Sequence, residues 1–118
     1  MKNKDYILDL KNVTIDEEKV NELEKEYKYH FNSILKAIVS KARVPLFLDE
    51  YKVLSFSEIK NASKELDVDF ISKKIIPLID CSDNDYIVYH FDTDSWSMYN
   101  IVDDCFFFKK STLEELLV

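Results

Sequence analysis

The stretch IIPLIDCSDNDYIVYHFDTDSWSMYNIVDDCFFFKK, residues 75–110, alternates apolar runs with short acidic breaks, and that rhythm decides the fold. Ile75, Ile76, Leu78 and Ile79 read as a strand in which Pro77, lacking an N–H for the ladder, marks an edge or a bulge. Tyr86 to Phe91 is apolar on both faces apart from His90, as expected of a central strand covered on both sides. Thr93, Asp94 and Ser95 form a short turn into a third run, Trp96 to Val102, and Cys105 to Phe108 gives a fourth.

Upstream of this region the periodicity is helical. Thr14 and Glu17 have capping-box spacing, and Val20, Leu23 and Tyr27 repeat at helical intervals with Glu18, Glu22, Lys25 and Glu26 toward solvent. A second stripe, Phe31, Ile34, Leu35, Ile38, Val39 and Ala42, is expected to stop near Arg43, because Pro45 disfavours helical conformation just before it. Leu46 to Leu48 and Tyr51 to Leu54 read as two short extended pieces with a turn at Asp49 and Glu50. Ser55 and Glu58 form another capping box, opening a helix with Ile59, Ala62 and Leu66 inward. Ser111 and Glu114 form a third, opening a terminal helix with Leu113, Leu116 and Leu117 inward. The expected fold class is α+β: one domain over residues 1–118, with an antiparallel β meander of about four to six strands packed with helices.

Charge is segregated along the chain. The protein has 16 Lys plus Arg against 23 Asp plus Glu, a net of −7, and Asp80, Asp83, Asp85, Asp92, Asp94, Asp103 and Asp104 account for all of it. No Lys or Arg falls between Asp80 and Asp104. Such a field either attracts a basic partner, holds a cation or serves solubility, while Asp is also the residue that tight turns recruit for its tolerance of left-handed backbone. The turn reading and the partner reading are compatible. A sequence pI near 4.8 argues against direct binding to nucleic acid, whose phosphates need a basic footprint.

Other chemistries are narrowed by what is missing. The chain has no glycine, which removes phosphate-cradling loops, dinucleotide fingerprints and the nucleophile elbow. An enzyme would have to use His90 as a base beside carboxylates from Asp92, Asp94, Asp103 and Asp104, and nothing in their spacing singles them out. Asp80, Asp83 and Asp85 echo a calcium loop without its glycine or bidentate Glu, and His30, Cys81, His90 and Cys105 match no zinc spacing. No metal and no cofactor are therefore expected. The run Tyr6, Ile7, Leu8 is too short for a secretory segment, and no uncharged run is long enough to span a bilayer. The expectation is a cytoplasmic protein with no membrane or nucleic-acid partner, whose Cys81 and Cys105 are reduced, small apolar side chains.

The order of these elements resembles the SUKH superfamily, loosely from Glu17 to Leu117. The residues that carry the resemblance are Val20-Asn21-Glu22-Leu23-Glu24, the strand and cap Tyr51 to Ile59, the strand Ile75 to Ile79 before an acidic turn, Tyr86 to Phe91, the turn Asp92 to Trp96, and Ser111 to Leu117. Glycines that family members often carry before the central strand are replaced here by Asn84 and Asp85. The resemblance implies a binding module rather than an enzyme: an immunity protein that neutralises a basic toxin domain, often a nuclease, or else a regulatory scaffold. Under the immunity reading the contact field comprises Asp83, Asp85, Asp92, Asp94, Asp103 and Asp104, with Trp96 and Tyr99 as aromatic anchors unless those two rings belong to the core.

Overall fold

A computed structural model describes residues 2–117. Helices α1 (Asn3–Leu10), α2 (Glu17–Tyr27) and α3 (Ser33–Lys41) precede two short strands, β1 (Leu46–Phe47) and β2 (Lys52–Val53). Helix α4 (Phe56–Glu65) then leads into β3 (Ile75–Asp80), β4 (Asp85–His90), β5 (Ser95–Asn100) and β6 (Cys105–Lys110), and α5 (Leu113–Leu117) follows. The six strands lie side by side in sequence order, each antiparallel to the next. This is the expected α+β meander, and one continuous core draws on all five helices.

Register determines which side chains share a face. Tyr86 pairs with Tyr99 and Val88 with Ser97, while Ile87 pairs with Met98 and Tyr89 with Trp96. On the second of these faces Tyr89 meets Trp96 and Phe91, and Phe91 stacks on Tyr29 and Phe31 at the junction of α2 and α3. On the first, Tyr99 meets Phe70 and Phe106. Ile87 and Val88 are fully buried on opposite faces, so β4 is covered on both sides. Pro77 sits at a bulge: Pro77 faces Val88 and Ile79 faces Ile87, leaving Leu78 as the extra residue, whose carbonyl accepts from Leu54 N–H at 2.9 Å. A proline in an interior strand is thereby accommodated without a broken ladder.

Helix starts follow local hydrogen bonding more than motif spacing. The Ser55–Glu58 capping box forms, with both reciprocal bonds in place. The expected Thr14 cap does not; Asp16 opens α2 by accepting from Lys19 N–H. At the last helix the pairing is shifted by one from the expected Ser111–Glu114, since the Thr112 hydroxyl donates to the Glu115 carboxylate. Ile34, expected to face inward, is 41% exposed, while Leu35, Ile38 and Val39 of the same stripe are fully buried. The run around Tyr6 belongs to α1, a helix the sequence reading left out; its Tyr6 and Leu10 are buried at i, i+4 spacing.

Nine described residues have left-handed backbone, and with no glycine in the chain every one carries a side chain: Lys28, Asp67, Lys74, Ser82, Asp83, Asn84, Asp94, Asp104 and Phe108. Lys28 is the C-cap of α2 and Lys74 ends the turn before β3, both exposed. Lys28→Gly and Lys74→Gly should each raise unfolding stability by roughly 0.5–1 kcal/mol, the relief of left-handed strain less the added freedom of the unfolded chain. Urea denaturation reads this directly, and a loss of stability in both variants would show that these positions carry no strain.

Candidate functional site

Successive turns of a meander lie at opposite ends of its sheet, and this parity divides the aspartates. The β3–β4 and β5–β6 turns sit together at one end: Asn100 donates its amide to Asp85 Oδ1 at 2.8 Å and to the Asp83 carbonyl at 3.4 Å, and Ile101 N–H donates to Asn84 O at 3.0 Å. The β4–β5 turn, with Asp92 and Asp94, lies at the other end, five ladder steps or about 17 Å away. The expected single contact field therefore separates: Asp83, Asp85, Asp103 and Asp104 stay together with Asp80, and Asp92 and Asp94 leave the group.

Two carboxylates that the sequence reading did not count take their place. β2 pairs with β3 through Lys52 opposite Asp80, which brings the β1–β2 turn, with Asp49 and Glu50, to the same end. The electrostatics agree, since the Tyr51 hydroxyl keeps its proton to higher pH through burial first, then through Cys81, Glu50 and Asp85. Two lysines lie close by, and both are engaged: Lys73 Nζ is 2.9 Å from Asp104 and Lys52 Nζ is 2.9 Å from Glu58. Asp49, Glu50, Asp83 and Asp103 are exposed and have no ion-pair partner among the described residues. Val102, 70% exposed, projects from the same end.

The two expected anchors are core residues. Trp96 is 4% exposed and packs edge-on against Tyr89; Tyr99 is 1% exposed. Tyr99 does contribute to the turn, because its hydroxyl donates to Asp104 Oδ1 at 2.5 Å. One hairpin earlier Tyr89 donates to Asp94 Oδ1 at 2.6 Å. In both cases the acceptor lies five residues after the tyrosine, at the left-handed last position of a four-residue turn. The Tyr99 bond holds the Asp104 carboxyl below its ordinary range, with Lys73 assisting, and burial, followed by the bond to Asp94, pushes the Tyr89 hydroxyl up to about 12. Asp94 and Asp104 are thus turn locks; Asp83 and Asp103 are the free carboxylates.

His90 and the carboxylates proposed for acid–base work do not assemble. His90 is buried with its Nε2 2.7 Å from the hydroxyl of Ser97, itself fully buried, and Asp103 and Asp104 are at the far end of the sheet. Burial lowers the His90 pKa, the charge of Lys109 lowers it further, and Asp92 opposes them. Burial pushes the Cys81 thiol up to about 12, Asp80 and Asp85 adding to the effect of burial, whereas Cys105 is exposed rather than an interior side chain. Both thiols are free. Among the described residues no three His, Cys, Asp or Glu side chains gather as a metal ion would require, and no helix is long and apolar enough to cross a membrane.

What the sequence reading missed is the exposure of the last strand. Cys105 to Phe108 looked like one more apolar run, yet β6 is an edge strand with Phe106 44% and Phe108 63% exposed. Lys109 and Lys110 closing the strand were the available signal, because lysine on a strand that would otherwise be apolar is characteristic of sheet edges. The chain matches no family model, and no curated protein or solved structure is significantly similar to it.

Tyr99→Phe should lower unfolding stability by about 1–2 kcal/mol, the loss of a hydrogen bond to a charged acceptor. Asp104→Ala should cost more, since it orphans a buried hydroxyl, while Asp103→Ala should be near neutral; equal effects at 103 and 104 in urea melts would remove the lock. His90 gives a pH signature. Its folded-state pKa lies below the unfolded value, so its stabilising contribution is complete above about pH 6.5 and is lost as pH falls toward the lowered folded value. The urea midpoint of the wild type should therefore drop more between about pH 7 and pH 5 than that of His90→Gln. Parallel pH profiles would clear His90 of the effect.

Proposed function

We propose that this chain is a non-catalytic, SUKH-like immunity protein that binds a basic toxin domain, with a nuclease as the favoured partner class, through the acidic end of its sheet. The observation that carries the reading is the convergence of three turns, β1–β2, β3–β4 and β5–β6, which places Asp49, Glu50, Asp80, Asp83, Asp85, Asp103 and Asp104 at one end. Crowding exposed like charges costs the free protein through self-repulsion, and a basic partner relieves that cost. A cleft built for phosphate offers such a partner: the acidic end steers the encounter and competes for the groups that would hold nucleic acid. Val102, exposed in the β5–β6 turn beside Asp103 and Asp104, supplies an apolar contact at the edge of the patch.

Not all of these carboxylates are equal in this reading. Asp85 and Asp104 are held by Asn100 and by Tyr99 and Lys73, so they shape the surface, while Asp49, Glu50, Asp83 and Asp103 present unpaired charge to the partner. Asp92 and Asp94, at the other end, lie outside the contact.

The test is co-purification with the C-terminal domain encoded immediately upstream, followed by titration of binding against salt. The wild type should form a tight one-to-one complex that weakens with salt. The variant Asp49→Asn, Glu50→Gln, Asp83→Asn and Asp103→Asn should bind about 10- to 100-fold more weakly, mainly through slower association, with a flatter salt dependence. Asp92→Asn should bind as the wild type does. Unchanged affinity in the folded fourfold variant would remove the acidic end from the mechanism, and absence of any complex would favour a scaffold with a different partner.

A further inference from the structure

We propose that the open edge of β6 pairs with the same edge of a second copy of this chain, forming a two-fold antiparallel dimer whose sheet runs continuously through both copies. β6 is the last strand in the sheet order, bonded to β5 on one side, with no further strand beyond it among the described residues. Phe106 and Phe108 are exposed and Phe107 is half-buried, although the strand continues a sheet whose centre is dry. An unpaired row of N–H and C=O groups flanked by three phenylalanines is a template for strand addition. Left bare, it is also the kind of segment from which aggregates grow.

The charge pattern along the edge selects the occupant. From Asp103 to Lys110 the chain reads DDCFFFKK, acidic at one end, aromatic in the middle and basic at the other. Antiparallel self-pairing centred on Phe107 sets Asp104 opposite Lys110, Asp103 opposite Ser111, Cys105 opposite Lys109 and Phe106 opposite Phe108. Centring the pair on Phe106 instead keeps acid facing base, with Asp103 opposite Lys109. Parallel self-pairing would place like charge on like charge. A basic partner strand would meet Lys109 and Lys110 and be repelled, so the ligand suited to the acidic end is not suited to this edge. The edge is complementary to itself, which is the requirement for a two-fold interface.

A second feature fits the same occupant. Trp96 faces Lys110 and Met98 faces Phe107, so β6 carries one extra residue opposite Ser97, and Phe108 there has φ 55°. Left-handed backbone at a large aromatic residue is costly. It turns the Phe108 ring outward, edge-on to Phe107 with centroids 5.2 Å apart, instead of letting it follow the strand. Burying that ring against Phe107 of the second copy, which lies on the same face, removes apolar surface from water and offsets the strain. A single strand pair with its flanking rings lies near the lower limit of stable interfaces, about 1,200 Å² in all, so the dimer should dissociate on dilution. Because the copies run antiparallel, their acidic ends point away from each other; Asp49, Glu50 and Asp83 stay clear of the pairing, and Asp103 lies at its margin.

Sedimentation velocity of the purified protein alone, over a concentration series, tests this without any toxin, so its failure is separate from failure of the immunity reading. The wild type should move from monomer to dimer as concentration rises. Lys109→Glu with Lys110→Glu makes the edge acidic throughout and should weaken self-association by about tenfold or more; Asp103→Lys makes it predominantly basic and should also weaken it. An equimolar mixture of the two variants should recover dimer, which loss of packing in either variant would not produce. If either variant proves unfolded by circular dichroism, hydrogen exchange on the wild type decides instead: the amides of Phe106 and Phe108 should gain protection with concentration. A wild type that stays monomeric at every concentration, a mixture no better than its components, or protection independent of concentration would each overturn the proposal.

Discussion

The bond from a tyrosine hydroxyl to an aspartate five residues later, made by Tyr89 to Asp94 and again by Tyr99 to Asp104, fixes the two hairpins on which the sheet depends. A tight turn needs left-handed backbone at its last position, a conformation that glycine supplies at no steric cost. This chain has none, and Asp accepts that backbone while offering a carboxylate that the buried tyrosine can hold from the preceding strand. The turn thus takes its shape from the core. The tyrosine ring packs inside the sheet, its hydroxyl reaches the turn, and one side chain serves packing and connection together. The β3–β4 turn uses another device, a run of three left-handed residues, Ser82, Asp83 and Asn84, with Ser82 N–H bonded to Asp80 Oδ1.

From that constraint the charge distribution follows. Asp collects at turns for conformational reasons, and the meander sorts the turns by parity, so aspartates spread along 25 residues of sequence are delivered to two ends of one sheet. Proximity in sequence is a poor guide to proximity in space here. Asp92 is close to Asp85 along the chain and far from it across the sheet, whereas Asp49, remote in sequence, is brought to the same end as Asp85. What distinguishes a carboxylate available to a partner from one consumed by the fold is whether a tyrosine, an amide or a lysine already occupies it.

The sheet was legible because its signals are local: apolar runs of six, breaks of four, and a proline that calls for an edge or a bulge, of which the structure takes the bulge. The Ser55–Glu58 box was legible for the same reason, being a contact between residues three apart. Where several cap-forming residues follow one another, spacing pointed to Thr14 and Ser111, whereas the structure caps α2 with Asp16 and bonds Thr112, the next residue, to Glu115. Helix α1 was hidden because two buried residues, Tyr6 and Leu10, are too few to show a period. The exposure of β6 was hidden for a different reason. A strand's apolar residues look the same whether a further strand covers them or not, so apart from Lys109 and Lys110 it is the order of strands that says which one is last. The roles of Trp96 and Tyr99 likewise turn on burial, a property of the assembled sheet and not of the residues.

Strand order that equals sequence order also bears on how the molecule comes together. Every ladder joins strands adjacent along the chain, and all but β2–β3, which closes across α4, are hairpins whose closure spans few residues, the low-contact-order arrangement that favours rapid folding. Helix α1 stands apart from this arrangement. Its Asn3 side-chain amide donates to the carbonyl of Leu117, 114 residues away, and α1 packs beside α5 as well as α3. That clasp closes the largest loop in the molecule and gains its partner only once the last helix is in place. The contact between α1 and α5 is therefore among the last in the molecule to form.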